Sequence, residues 1–258
     1  MLPAIFFVIG SAFGSFTHLV SDRLYAASIF GGRSHCDACG KKLTFSELFP
    51  ILSFLFQKGR CKNCGFRLPV SYLITEIVFG VLFLLLYLFF LKDKGLSLDS
   101  SLFFAFYSVF FVVSGVLVLY DIKHKILPAS FLYAFLALSA VMMAIRIYAT
   151  GNNLELFSPL ILALPVYFLY IVTKKKGIGL GDMFLFSGVG MFLGIEQGIA
   201  AALIALWSAA IVAIILQLIN KDKYTRKYEL PFVPFIILGM LVSLLGDISV
   251  WTIVNFFS

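Results

Sequence analysis

Two aspartates and four cysteines have the types and spacing to do chemistry in this chain. Asp182 closes the stretch Lys176-Gly177-Ile178-Gly179-Leu180-Gly181-Asp182, and Asp121 sits in Tyr120-Asp121-Ile122-Lys123-His124-Lys125-Ile126-Leu127-Pro128. Each lies where an apolar run meets basic residues. A carboxylate at the edge of a membrane helix is costly without a task or a partner. The plainer tasks are a helix cap for Asp182 and a solvated loop position for Asp121. Two carboxylates facing each other at one depth are also the minimum equipment for aspartic proteolysis. The ionised one takes a proton from water, and the protonated one polarises the scissile carbonyl. Repulsion at low dielectric keeps one proton on such a pair, which titrates as a unit. Gly179 and Gly181 let backbone or a bound peptide come close.

The cysteines form two pairs, Cys36-Asp37-Ala38-Cys39-Gly40 and Cys61-Lys62-Asn63-Cys64-Gly65. Each pair has the spacing of a tight knuckle, with glycine permitting the turn after the second thiolate. Four thiolates then complete a tetrahedral structural zinc site at Cys36, Cys39, Cys61 and Cys64. Two disulfides are the alternative, disfavoured in a reducing cytoplasm. Lys41, Lys42, Arg60 and Lys62 offset part of the site's negative charge, and His35 reads as a bystander. The segment 22–69, roughly fifty residues, has little room for a core, so the metal would supply much of its folding energy. Glu76 is a candidate site residue or a buried packing residue. His18 reads as a hydrogen-bonded packing residue, His124 as part of a basic loop, and Asp247 as structural.

The elements that must position these groups are membrane helices. The chain has 258 residues, 61% of them hydrophobic and 13% charged, with a mean hydropathy of +1.03. That excludes a soluble domain and indicates an all-α polytopic membrane protein. Apolar runs at 2–20, 70–91, 101–120, 129–149, 156–173, 181–195, 197–219 and 232–254 give about eight transmembrane helices. The first run lacks a basic leader, with Arg23 the first cation, so it reads as a membrane helix rather than a cleaved signal peptide. The net charge of +7 is that of basic cytoplasmic loops, not of a nucleic-acid partner. Of the 20 Lys and Arg residues, only Lys92, Lys94 and Arg146 fall on the other side. The small four-cysteine domain between the first two helices and both aspartates therefore face the cytoplasm, and both termini face out. The expected division is a first helix at 1–21, the zinc domain at 22–69, and the transmembrane catalytic domain at 70–258.

Taken together these residues resemble the bacterial prepilin peptidases, or type IV leader peptidases, nearly end to end. Gly14-Ser15-Phe16 with Arg23-Leu24 is similar to the family's start. The cysteine pairs flank Phe49-Pro50-Ile51-Leu52-Ser53-Phe54, and Tyr72 to Glu76 with Gly80 resembles the opening of its second span. Asp121 with Leu127-Pro128 and Gly179-Leu180-Gly181-Asp182 resemble its two aspartate motifs, and Leu230-Pro231-Phe232-Val233-Pro234-Phe235 with Gly239 its closing motif. The chain departs from many members at His18, Phe184 and Ala129-Ser130.

The resemblance implies a GxGD-type aspartic endopeptidase of the bacterial inner membrane, with Asp121 and Asp182 catalytic. Its substrates would be prepilins and pseudopilins lying in the bilayer, cut after a leader Gly and before a hydrophobic residue, often Phe. It also implies a second activity, N-methylation of the new amino terminus with S-adenosylmethionine. No glycine-rich methyltransferase signature accompanies it. Readings from other classes are an ion- or proton-coupled transporter with the aspartates in its path, and a scaffold docking partners through the zinc domain.

Overall fold

In the computed structural model, residues 1–24, 34–36, 38–92, 97–173, 179–219 and 230–257 are described. Among them the regular structure is helical, apart from two isolated bridges between extended residues. Ten α-helices run in order: α1 Leu2–Arg23, a short α2 Leu52–Phe56, α3 Val70–Phe90, α4 Leu98–His124, α5 Ala129–Thr150, α6 Ser158–Val172, α7 Leu180–Leu193, α8 Ile195–Ile219, α9 Val233–Leu245 and α10 Val250–Phe257. Six helical segments, including α6 with the turn before it, are long and apolar enough to cross a bilayer, and α7 and α9 are shorter apolar helices. The protein is thus an all-α polytopic membrane protein.

The chain divides after Val116, within α4, into two compact units. In the first unit, α1 packs on α3 through small residues, as helices must when lipid offers no hydrophobic drive to associate. A Cβ on Gly14 would stand 2.7 Å from the Thr75 carbonyl, and one on Gly80 would strike Ser11 and Phe7. Phe6 and Phe83 each set a ring edge against Phe104 from α4, and Phe6 stacks on Tyr87.

In the second unit α7 is central, packed by α5, α6, α8 and α9. Gly188 lies against Phe135, and Gly190 against the Ser158 backbone. With 14 residues it is about 21 Å long, shorter than a span, and it is bounded by Gly179 and Gly194. The run 232–254, read from sequence as one span, is broken. α9 stops at Gly246, Asp247 takes a φ of 48°, and the Ser243 hydroxyl donates to the Ile248 carbonyl beyond the break (2.7 Å). α4 in turn runs on to His124, whose ring lies 4.4 Å from that of Tyr120. Asp121 is therefore one turn inside the helix rather than at its end, and His124 is helical rather than in a loop.

Candidate active site and metal centre

Asp121 is buried, 7% exposed. Its Oδ2 accepts a hydrogen bond from the amide of Val233 at 3.1 Å, and the amide of Phe232 also donates to it. Both amides belong to the start of α9, where the first N–H groups have no partner within the helix. Pro231 and Pro234 bracket that start and fix its course. A carboxylate from one helix thus caps the N-terminus of another, with the helix dipole in its favour. Lys125, with a φ of 55°, turns the chain back below Asp121.

Asp182 is half-buried in the first turn of α7. Its Oδ2 accepts from the Gly179 amide at 3.0 Å, so the capping role weighed from sequence is present. The residues ahead of it, 174–178, lie outside the described residues. Three features join the two aspartate segments. Leu127 lies against Gly181, where a Cβ would come within 2.5 Å of its Cδ1. The Phe232 ring, beside the amides that hold Asp121, lies 6.0 Å from that of Phe186, one turn along α7 from Asp182. Asp121 is also among the charges that act on Asp182. The start of α9 is the part of this arrangement that residue types did not disclose. A helix start between two prolines, directly after the basic stretch 220–230 in sequence, was the available signal.

Glu76 and His18 belong to the first unit. Glu76 is buried, and its Oε2 accepts the amide of Ile51 at 2.7 Å, tying the four-cysteine segment to α3. His18 is 1% exposed. Its Nδ1 lies 3.1 Å from Asp22 Oδ2 and its Nε2 3.2 Å from Ser71 Oγ. Tyr72 stacks on its ring at 3.8 Å and donates to Asp22. It is the hydrogen-bonded packing residue expected. Asp247 accepts from Gln197 Nε2 at 2.6 Å in the turn after α9.

The cysteine knuckles are built alike. Gly40 donates to the Cys36 carbonyl, and Gly65 to that of Cys61. The flanking residues pair as bridges, His35 with Lys42 and Arg60 with Arg67. The four Sγ atoms lie within 4.8 Å of one another, and those of Cys36 and Cys64 are 3.9 Å apart. A tetrahedral zinc with Zn–S bonds near 2.3 Å needs sulfur separations of about 3.8 Å, so the set fits a metal ion. The amides of Cys64 and Asn63 draw the Cys61 thiol down to about 6. Against the Phe66 amide, burial and the neighbouring thiols push Cys64 up to about 11. Thiols this close share protons until a cation joins them. Beside the cluster, the amide and hydroxyl of Thr44 bring the Glu47 carboxyl down to about 2, aided by Lys41.

Apolar helices long enough to span a membrane, two aspartates on neighbouring segments and a four-cysteine cluster define a class, and comparison with known proteins gives the family. Residues 8–90 match the Bacterial Peptidase A24 N-terminal domain, and residues 108–215 match the Type IV leader peptidase family. The chain is 32% identical to a prepilin leader peptidase/N-methyltransferase of Bacillus subtilis, over 95% of this chain and 94% of that protein. Proteins of the same name from Dichelobacter nodosus and Vibrio cholerae are 30% and 25% identical, over 83% and 74% of this chain and 71% and 78% of theirs. No solved structure matches. The chain belongs to the type IV leader peptidase family.

Proposed function

We propose that this protein cuts the leader from type IV prepilins and pseudopilins, with Asp121 and Asp182 as its catalytic pair. The observation that carries the reading is the meeting of three segments at one end of the second unit: the Asp121 turn, the start of α7 and the start of α9. One carboxylate activates water and the other, protonated, polarises the carbonyl of the scissile bond. The amides at the start of α9 position Asp121, and Gly179 positions Asp182. Gly181 lets Leu127, and with it the Asp121 turn, lie close. Glu76 has a supporting role, holding the Phe49–Ile51 loop.

The distribution of Lys and Arg supports an inner-membrane location with both aspartates and the four-cysteine domain on the cytoplasmic side. There the basic leader of a prepilin would emerge from the bilayer. The functional division follows as 1–21, 22–69 and 70–258. Cys36, Cys39, Cys61 and Cys64 would hold a structural zinc that fixes the fold of their domain, with no part in peptide cleavage. The names of the relatives favour a second step, transfer of a methyl group from S-adenosylmethionine to the amine that cleavage frees.

The test uses purified protein in detergent and a substrate with a basic leader, a Gly-Phe junction and an apolar helix, with and without S-adenosylmethionine. Mass spectrometry should find cleavage at Gly-Phe in both cases, and added methyl mass only with the cofactor. The protein should carry about one zinc per chain. An uncut substrate under both conditions, with folded enzyme, would overturn the peptidase reading.

A further inference from the structure

The segment Phe45–Phe56 is inside out for a domain surrounded by water. Its acid, Glu47, is buried, while Phe45 and Phe56 are 82% and 81% exposed. Leu48, Phe49, Leu52 and Leu55 are exposed as well. Glu47 turns inward to the amide and hydroxyl of Thr44, both at 2.8 Å, and to Lys41 at 3.2 Å. Within α2, Leu52, Leu55 and Phe56 stand at helical spacing on one face. Phe54, off that face, sets its ring against Gly59. Large apolar side chains gathered outward mark a surface that meets something apolar.

The tether to α3 says at what depth. Glu76, which accepts the Ile51 amide at 2.7 Å, is six residues past Val70, about 9 Å along the helix. From its first residue α3 turns apolar side chains outward, Val70, Ile74, Ile77 and Val78, on a helix apolar enough to span. The segment is held firmly at that level. Ile51 has φ 60° and ψ −55°, and the Leu52 amide donates to the Pro50 carbonyl at 2.6 Å. That is a classic-sense γ-turn, strained and rare on a β-branched residue. Strain of this kind persists only where surroundings enforce it, and the buried Glu76 carboxylate does so. Lys42, Lys58, Arg60 and Arg67 are exposed on the rest of the domain. Cations beside an apolar face suit anionic headgroups.

We propose that Phe45–Phe56 is an interfacial membrane anchor, seating its apolar side chains at the boundary of headgroups and acyl chains in an anionic bilayer. The four-cysteine domain then lies on the membrane, held there at two points: the helices that flank it and this segment.

The test uses full-length protein in nanodiscs containing phosphatidylglycerol, in a Trp207→Phe, Trp251→Phe background. A single tryptophan is introduced by Phe56→Trp, by Phe45→Trp, or, as a water-side control, by Lys62→Trp. Bound zinc reports that each variant is folded. At positions 56 and 45, emission should be blue-shifted and shielded from aqueous iodide. Lipids brominated near the top of their chains should quench it at least about twofold, and the control should behave oppositely. Emission at 56 and 45 as open to iodide as at 62 would overturn the anchor. Shielding that appears only when a prepilin-like peptide is added would also overturn it, and would assign the face to a peptide.

Discussion

The two ends of the second unit treat their charges in opposite ways. At one end Arg146 reaches the last carbonyls of α7, Phe192 at 2.9 Å and Met191 at 3.2 Å, and pairs with Glu155 at 3.3 Å. Glu155 in turn accepts the first amide of α8, that of Ile195, at 3.2 Å. A cation on a helix C-terminus and an anion on a helix N-terminus each favour the dipole they face. Their pairing spends both charges on structure. At the other end, Asp121 and Asp182 are each held by main-chain amides, from Val233 and Gly179. An amide fixes a carboxylate in place yet leaves its second oxygen and its proton chemistry available. The difference lies in the cations: Glu155 is paired with Arg146 as well as with an amide, whereas the hydrogen bonds of Asp121 and Asp182 come from main-chain amides, as suits the catalytic role proposed for them.

That contrast can be broken from the aspartate end. Gly181→Val would drive a side chain into Leu127 and move the Asp121 turn against α7. For the proposed catalytic pair, misplacement by about 1 Å costs on the order of a hundredfold, so cleavage of a Gly-Phe substrate should fall by about that much. Adding Leu127→Ala should restore part of it. A Gly181→Val protein as active as the parent would show that the close approach of Leu127 does not set the pair.

Val233→Pro is a finer probe. It removes the amide donated to Asp121, at the first position of α9, where proline is tolerated. Phe232 holds φ −97° and ψ −25°, a region that a following proline disfavours, so thermal denaturation in detergent should show a modest loss of stability; cleavage per folded molecule should fall about tenfold through loss of one positioning hydrogen bond. An unchanged rate would mean that the start of α9 is only packing.

At the structural end the effects reverse. Arg146→Gln should destabilise the protein by about 2 kcal/mol, since it removes the cation from Glu155, which keeps only the Ile195 amide, and takes the guanidinium from two helix-end carbonyls. The cleavage rate per folded molecule should stay within about twofold. A loss of rate without loss of stability would contradict the division of roles.

Much of this was legible in sequence because lipid demands contiguous apolar runs. The break at Gly246–Ser249 was not, since the run stays apolar around one glycine and one aspartate. The knuckles were legible because thiolate spacing and the following glycine are set by metal geometry. Asp121 and Asp182 stood out as carboxylates where carboxylates are costly. The partner of Asp121 did not, because a main-chain amide has no residue type. The same holds for Glu76, whose partner is the amide of Ile51. The outward face of Phe45–Phe56 was hidden by an ordinary assumption, that apolar residues in a polar domain point inward.

The central claim is that Asp121 and Asp182 act as one group, and a double-mutant cycle in single-turnover cleavage tests it most directly. Asp121→Asn and Asp182→Asn should each lower the rate at least about a thousandfold, with the double variant within about threefold of either, because groups that act as a unit are lost together. Appreciable cleavage by either single variant, or losses that multiply in the double, would contradict it.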